Sequence, residues 1–420
     1  MLKSIKLLSL YLLLFLFAFE GTLGTMKIAG ISYPRIIESI IFIFLIKKYL
    51  YDSFENKILL LLNKVFFIFI MLLFLKLFTV TFLQNDLELT IFIEVIRVVF
   101  LVIIIYLIYY ALLNYKNTLQ AILILNFFIM IVAFFQSSLT PFTDLAWDLK
   151  NTYFASNAVG YDDTISFRKR VTGFYSTSIP LAYVLTMNMI MTIYLYIKNK
   201  NNIYVLYFVF LGIIAVLSLT RSVVLSWVVL FIYLSYINLV KSKFINKLVF
   251  SIFLFFSFSY ATTVYINHID TLNRITSTKG KSAEGRLPLA LTGLYTTLKY
   301  PMGASENSYK IAKQEMYDIL HNENILKYES HNGIVNIGLK YTLFGLFVFI
   351  IFMLKLIKLM RNNFSKEMVQ FFYVAFFAYL ANALFHNNFI VIDDFYGITL
   401  FAIIAYEYKI NKEKMHHGKN

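Results

Sequence analysis

The chain has no cysteine, which excludes disulfides and thiolate metal sites and leaves the redox compartment unreadable from this residue type. It is also short of charge. Only 15% of its 420 residues are Asp, Glu, Lys or Arg, against about a quarter in a water-soluble protein. With 60% hydrophobic residues and so little charge to clothe a surface, the chain is not a soluble globular domain. There is no internal repeat, which argues against a secondary transporter, because those folds are commonly built from two related halves. No Asp-x-Asp metal motif and no metal-ligand spacing of histidines is present, and the adjacent Asp162 and Asp163 fit a solvated loop turn. No metal and no cofactor is expected.

What the chain has in abundance is apolar runs of ~18–25 residues, the length that crosses a hydrocarbon core. They predict an all-α polytopic membrane protein, because lipid forces each span to satisfy its own backbone hydrogen bonds. Twelve spans are expected in a single membrane domain over 1–420: 5–19, 34–50, 60–83, 90–113, 118–137, 179–197, 203–219, 222–240, 248–265, 332–354, 368–385 and 396–409. The N-terminus, Met1-Leu2-Lys3 followed by Leu7 to Phe19, has the look of a signal peptide. It lacks a small-residue cleavage site and another span follows closely, so it counts as the first helix.

The net charge of +15 raises the question of nucleic acid, and the placement of the charge answers it. Lysines and arginines collect in short segments between spans: Lys47-Lys48, Lys116, Lys198 with Lys200, Lys241 to Lys247, Lys355 to Lys366, and the tail. These segments fall on the same side as Lys3 and Lys6, the pattern of the positive-inside rule. Both termini are therefore expected in the cytoplasm, and no nucleic acid is expected as a partner. Two longer loops then lie outside, at 136–178 and 266–331.

The second loop has structure of its own. Leu287, Leu291, Leu294 and Leu298 stand at helical spacing and predict an amphipathic helix over 286–298. Pro288 suits its first turn and Pro301 its stop. A second helix is expected over 310–320, with Ile311, Ala312, Met316, Ile319 and Leu320 on one side. Both are expected to lie against the membrane surface or to cap a cavity.

Several outer cations then need a reason. Arg221 sits between two spans with almost no loop, where it is either an ion-paired or snorkelling side chain or an anion ligand. Arg168-Lys169-Arg170 precedes the sixth span and suits either lipid headgroups or a substrate phosphate. Arg286 opens the amphipathic helix. The macrodipole opposes a cation there, but the free backbone N–H groups favour a bound anion. His331 stands where the chain re-enters the membrane. Asn332, Asn336 and Lys340 follow at intervals of four and form a polar stripe on the next span. A neutral imidazole there suits a general base for a sugar hydroxyl, whereas the plainer reading makes Asn332 a helix cap and His331 an interfacial residue. His386-Asn387-Asn388 with Asp393-Asp394 is a further outer polar cluster suited to acceptor contact. Glu94 and Arg97, three apart within a span, are placed to pair with each other. Cations around an outer, lipid-accessible site point to an anionic, lipid-linked substrate whose departing diphosphate is stabilised by charge.

Gly285-Arg286 leading to Pro301 and Gly303, then Ser330-His331-Asn332-Gly333 with Gly338 and Gly345, resembles the C-terminal region of the O-antigen ligase and O-antigen polymerase family. Leu219-Thr220-Arg221-Ser222 is similar to that family too, as is Arg170-Val171-Thr172-Gly173-Phe174 followed by Pro180 and Ala182. The resemblance runs over about 140 to 355. One departure is Ser176-Thr177-Ser178-Ile179 before Pro180, where the family often has an Asn beside the proline.

The resemblance implies an inverting, metal-independent glycosyltransferase of the GT-C type in the bacterial cytoplasmic (inner) membrane, active on the extracytoplasmic side. Its donor would be a glycan on undecaprenyl diphosphate. Arg221 and Arg286 would hold the diphosphate, Arg170 would add a phosphate or glycan contact, and His331 would activate the acceptor hydroxyl. A polysaccharide polymerase is the first expectation, because the tyrosines Tyr295, Tyr300, Tyr309, Tyr317 and Tyr328 suit sugar stacking. Its acceptor would be a lipid-linked repeat unit, with membrane lipids around it and a chain-length regulator as a further partner. The close rival is a ligase acting on lipid A-core. The rival of another class is a lipid-linked oligosaccharide flippase.

Overall fold

The computed structural model describes residues 27–28, 31–86, 88–115, 117–137, 140–153, 170–175, 178–218, 220–240, 286–330, 332–386 and 396–417. The expected spans 5–19 and 248–265 lie outside the described residues, as do Arg168, Lys169, His331, Asp162-Asp163 and 387–394.

The described part is helical apart from a two-residue antiparallel pair, β1 (Lys27–Ile28) and β2 (Ile31–Ser32). The helices run α1 (Tyr33–Glu55), α2 (Lys57–Phe78, continuing as a π-helical turn Thr79–Leu83), α3 (Thr90–Asn114), α4 (Thr118–Phe135), α5 (Thr143–Tyr153), α6 (Ser178–Asn199), α7 (Ile203–Leu217) and α8 (Arg221–Val240). After the gap come α9 (Arg286–Lys299), α10 (Glu306–Leu320), α11 (Asn324–Lys327), α12 (Gly333–Asn363), α13 (Lys366–Ala383) and α14 (Thr399–His417). Among the described residues six helical stretches are long and apolar enough to cross a membrane: Lys57–Leu83, Thr90–Asn114, Thr118–Phe135, Ser178–Asn199, Arg221–Asn238 and Gly333–Asn363. The chain is a multi-pass membrane protein. Helices α1, α7, α13 and α14 stand at four more of the expected spans without meeting that measure.

Contacts divide the chain into two compact units. The first comprises 1–32, 117–280 and 370–382. Its centre is α6, buried over 89% of its most apolar window, with α4, α7 and α8 packed around it. Polar groups inside are matched in part: Asn126 Nδ2 donates to Asn188 Oδ1 at 2.9 Å, and the Thr186 and Thr192 hydroxyls donate to carbonyls one turn back, whereas Asn126 Oδ1 and Asn188 Nδ2 have no hydrogen-bond partner among the described residues.

The second unit comprises 33–116, 281–369 and 383–420. Here α2 packs along α12, with Phe69 and Tyr341 stacked at 4.4 Å between ring centres. Asn56 joins two elements, accepting from the Ile58 and Leu59 amides that open α2 and donating to Ala405 O at 2.8 Å. Helix α12 is broken near its first third, at Tyr341 (φ −105°, ψ 19°) and Thr342 (φ 69°, ψ 172°). A positive φ on a β-branched residue is strained and persists only when the surroundings over-determine it. They do so here: Lys76 Nζ donates to Leu339 O at 3.0 Å, and the Leu343 amide donates to Pro301 O at 3.1 Å. Protein groups thus satisfy backbone that lipid could not.

The loop helices form as expected, over Arg286–Lys299 and Glu306–Leu320. The second starts four residues early because Ser305 caps it, its Oγ accepting from the Ser308 amide. Which face packs is the less obvious point. Leu287, Leu291, Leu294 and Leu298 are 68%, 40%, 39% and 58% exposed, whereas Leu289, Thr292, Gly293, Thr296 and Thr297 are buried against the protein. Likewise α10 buries Ser308, Ala312 and Met316 and exposes Ile311 and Ile319. The helices meet their neighbours through small residues, which permit close approach, and keep an apolar stripe outward, as a helix at a membrane surface does. Gln84, just past the π-helical turn, moors them. Its side chain donates to Gly303 O and accepts from the Ser305 amide and the Ser308 hydroxyl.

Candidate functional site

Arg286 is the first residue of α9. Its guanidinium carbon lies 5.3 Å from the centre of the Phe385 ring, a cation–π contact. Phe385 belongs to the turn after α13, and the next residue, His386, is buried. Helix α9 is set against α12 at two glycines. A Cβ on Gly293 would lie 2.6 Å from Val335 Cγ1 and 3.1 Å from Ser330 Oγ, and one on Gly338 would lie 2.7 Å from Thr297 Cγ2. The threonines of this face turn their hydroxyls onto α9's own carbonyls, which leaves methyl groups for packing.

The chain on either side of position 331 is pinned. The Ser330 amide donates to the Tyr309 hydroxyl at 3.3 Å, and Ser330 O accepts from Asn336 Nδ2 at 3.2 Å. Asn332 caps α12, accepting from the Ile334 and Val335 amides. The Asn332 and Asn336 side chains thus hold the chain on either side of position 331 through bonds to backbone groups, while His331 itself lies outside the described residues. Ser330 Oγ is buried and has no hydrogen-bond partner among the described residues. Lys340, third in the polar stripe, pairs with Glu94, which also pairs with Arg97 at 2.6 Å. Burial pushes the Tyr309 hydroxyl up to about 12, so it is a neutral acceptor for Ser330 at any physiological pH.

A clamp joins α9 to α10. Lys299 pairs with Glu315, and the Tyr295 hydroxyl donates to the same carboxylate at 2.8 Å. The hydrogen bond from Lys299 holds the Glu315 carboxyl below the ordinary carboxylate value, and the bond to Glu315 raises Lys299. A depressed folded pKa gives stability that is present above the unfolded value and lost as pH falls through the folded one. Protease resistance of the 286–330 loop is therefore expected to hold from pH 7 to about 5 and to weaken below ~4.3, where a free glutamate protonates. Glu315→Gln should give the weakened pattern already at pH 7. An identical pH profile in that variant would remove the clamp from the account.

In the first unit, Gln136 organises the segment that carries Arg170. Its Oε1 accepts from the amides of Thr172 and Gly173, each at 2.9 Å, and its Nε2 donates to Gly173 O at 2.9 Å. Gly173 has φ +59°, and a Cβ there would lie 3.1 Å from Ile129 Cγ2, so both conformation and space call for glycine. Buried Lys150 donates to Thr172 Oγ1 at 2.9 Å. The Val171 amide reaches Leu217 O, at the end of α7, at 3.4 Å. Arg170 therefore sits at the end of the unit where Arg221 opens α8. Gln136→Leu should destabilise the protein by about 1–3 kcal/mol for each buried amide it orphans. Thermal unfolding in detergent reads this, and a shift within error of zero would contradict it.

The candidate residues thus fall into two groups, Arg170 and Arg221 in the first unit and Arg286, Asn332 and Asn336 in the second. Both candidate arginines outside the basic triplet stand at the first position of a helix, the end that presents free N–H groups to an anion. Among the described residues no three of His, Asp and Glu gather where they would hold a metal ion. Sequence reasoning missed Gln136, Gln84 and Phe385. The two glutamines end apolar runs, which is a weak signal, and nothing local marks Phe385.

Residues 206–353 match the family described as O-antigen ligase. The matched span runs from α7 through the break in α12 and contains Arg221, Arg286, His331, Asn332 and Asn336, while Arg168-Lys169-Arg170 falls before it. No curated protein and no solved structure matches the chain.

Proposed function

We propose, from the match of residues 206–353 to the family described as O-antigen ligase, that the protein belongs to the O-antigen ligase/polymerase family and is a surface-polysaccharide polymerase. It transfers a glycan from undecaprenyl diphosphate to the terminal sugar of a lipid-linked repeat unit at the extracytoplasmic face of the bacterial cytoplasmic membrane. Arg286 and Arg221 neutralise the diphosphate. Charge develops there as the glycosidic carbon–oxygen bond breaks, so their contribution grows toward the transition state. His331 takes the proton of the acceptor hydroxyl. The freed oxygen attacks the anomeric carbon opposite the leaving diphosphate and inverts it. Asn332 and Asn336 hold the chain that flanks His331, and Arg170 contacts phosphate or glycan.

The observation that carries this reading is the family match together with Arg286 at the N-terminus of a helix packed on the span Gly333–Asn363. A second reading, transfer to lipid A-core, is favoured by the ligase description of the matched family. The tyrosines of the 286–330 loop favour the polymerase. Surface polysaccharide from a deletion strain separates the two on a gel. Core bearing one repeat unit identifies the polymerase. Unsubstituted core, with polymer accumulating on undecaprenyl diphosphate, identifies the ligase. Normal ladders in the deletion strain would overturn both.

A further inference from the structure

At the far end of α12 from the 286–330 loop, α2 and α12 enclose a groove of about 360 Å³. From α2 come Lys57, Leu60, Leu61 and Lys64, and from α12 Lys355, Lys358, Leu359 and Asn362. Each set follows the spacing i, i+3, i+4, i+7, one face of a helix. The two faces bring leucines to the floor of the groove and four exposed lysines to its rim.

Other lysines at this end have carboxylate partners: Lys48 pairs with Asp52 at 2.8 Å and Lys412 with Glu55 at 3.5 Å. Among the described residues no ion pair joins any of the four groove lysines. Four like charges around an apolar floor call for an anion that also brings apolar surface. The walls are membrane spans, and the end carries the basic clusters that the positive-inside rule assigns to the cytoplasmic leaflet. Lys64 lies seven residues beyond Lys57, roughly 10 Å further along the helix, so the cations are spread in depth and not confined to one plane. Gly333 and Lys355 are 22 residues apart on α12, roughly 33 Å at the helical rise, so the groove is remote from the candidate site.

We propose that this groove is a binding site for an anionic phospholipid with two phosphates, of the diphosphatidylglycerol type, in the leaflet opposite the 286–330 loop. Its phosphates sit among Lys57, Lys64, Lys355 and Lys358, and an acyl chain lies on Leu60, Leu61 and Leu359. Lysines supply compact point charges for phosphate, and basic pockets between spans on the cytoplasmic side take such headgroups. This inference does not rest on the glycosyltransferase reading.

The test is lipid binding to the purified full chain in detergent, read by native mass spectrometry and by thermal unfolding. Four probes are compared: diphosphatidylglycerol, phosphatidylglycerol, phosphatidylcholine, and inorganic pyrophosphate as headgroup charge without tails. Diphosphatidylglycerol is expected to bind and to raise the unfolding temperature, phosphatidylglycerol to do so more weakly, and the other two not at all. The variant K57Q/K64Q/K355Q/K358Q should lose about tenfold or more in affinity, as should K355Q/K358Q in smaller measure if the fourfold variant does not fold. Lys198→Gln with Lys200→Gln should leave binding unchanged. Equal binding by the lysine variants would overturn the proposal. So would equal binding of phosphatidylcholine, which would make the groove a charge-blind crevice. Pyrophosphate binding as tight as the lipid would make it a phosphate site and overturn the lipid assignment.

Discussion

Replacing Arg286 with alanine is expected to lower glycan transfer by ~10²–10³-fold, the loss typical of one preorganised donor at a developing negative charge, while the protein accumulates in the membrane at wild-type level. The expectation comes from where the residue stands. It is half-buried at the first position of α9, with the helix's unpaired amides beside it and the Phe385 ring under its guanidinium. The Phe385 ring holds the planar group in place. Arg286→Lys should give an intermediate loss, because lysine keeps the charge but not the two-pronged planar donor. Phe385→Leu should weaken donor binding more than it slows the chemical step, since it loosens the guanidinium without removing it. Kinetics on a defined lipid-linked donor separate these effects. Arg286→Ala activity within about threefold of wild type would remove the residue from the diphosphate site.

The second large effect concerns packing. Gly293→Ala is expected to destabilise the protein by about 1–3 kcal/mol, the usual cost of overpacking a filled interface, and to reduce transfer well beyond what that destabilisation explains. The added methyl meets Val335 Cγ1 at 2.6 Å and Ser330 at 3.1 Å, so α9 must move away from α12. That movement shifts Arg286 relative to Ser330 and Asn332, the residues that flank His331. Val335→Ala removes the nearest obstructing atom. The double variant Gly293→Ala/Val335→Ala should therefore recover stability and part of the activity, a coupling that independent sites would not show. Additive losses would mean that the close approach of the two helices does not matter.

The elements and the site were unequally legible. Helix α9 is a good case of both outcomes. The leucine spacing and Pro301 located it to within a residue, yet the leucine stripe turned out to face away from the protein. Periodicity reports an apolar face and not what covers it, and in a membrane protein lipid covers it as well as protein does. The packing face, Thr292, Gly293, Thr296 and Thr297, is a small-residue pattern that hydropathy does not weight. The break in α12 had no local signal, since neither Pro nor Gly stands at Tyr341 and Thr342. It is imposed by Lys76 and Pro301, both distant in sequence. Glu94 and Arg97 pair as their spacing implied, and the same carboxylate also takes Lys340, which no spacing rule foresees. The candidate arginines were legible because an outer cation next to a span runs against the charge rule. Gln136 and Phe385 were not, because a residue that holds another in place carries its meaning only in three dimensions.

The measurement that bears most directly on the central claim is transfer by the purified chain in lipid nanodiscs, supplied with a defined repeat unit on undecaprenyl diphosphate and with no other protein. The predicted result is release of free undecaprenyl diphosphate together with a ladder of longer lipid-linked glycans, abolished in His331→Ala and reduced in Arg286→Ala and Arg221→Ala. Movement of the lipid-linked sugar between leaflets with no diphosphate lipid released would contradict the account and make the chain a transporter.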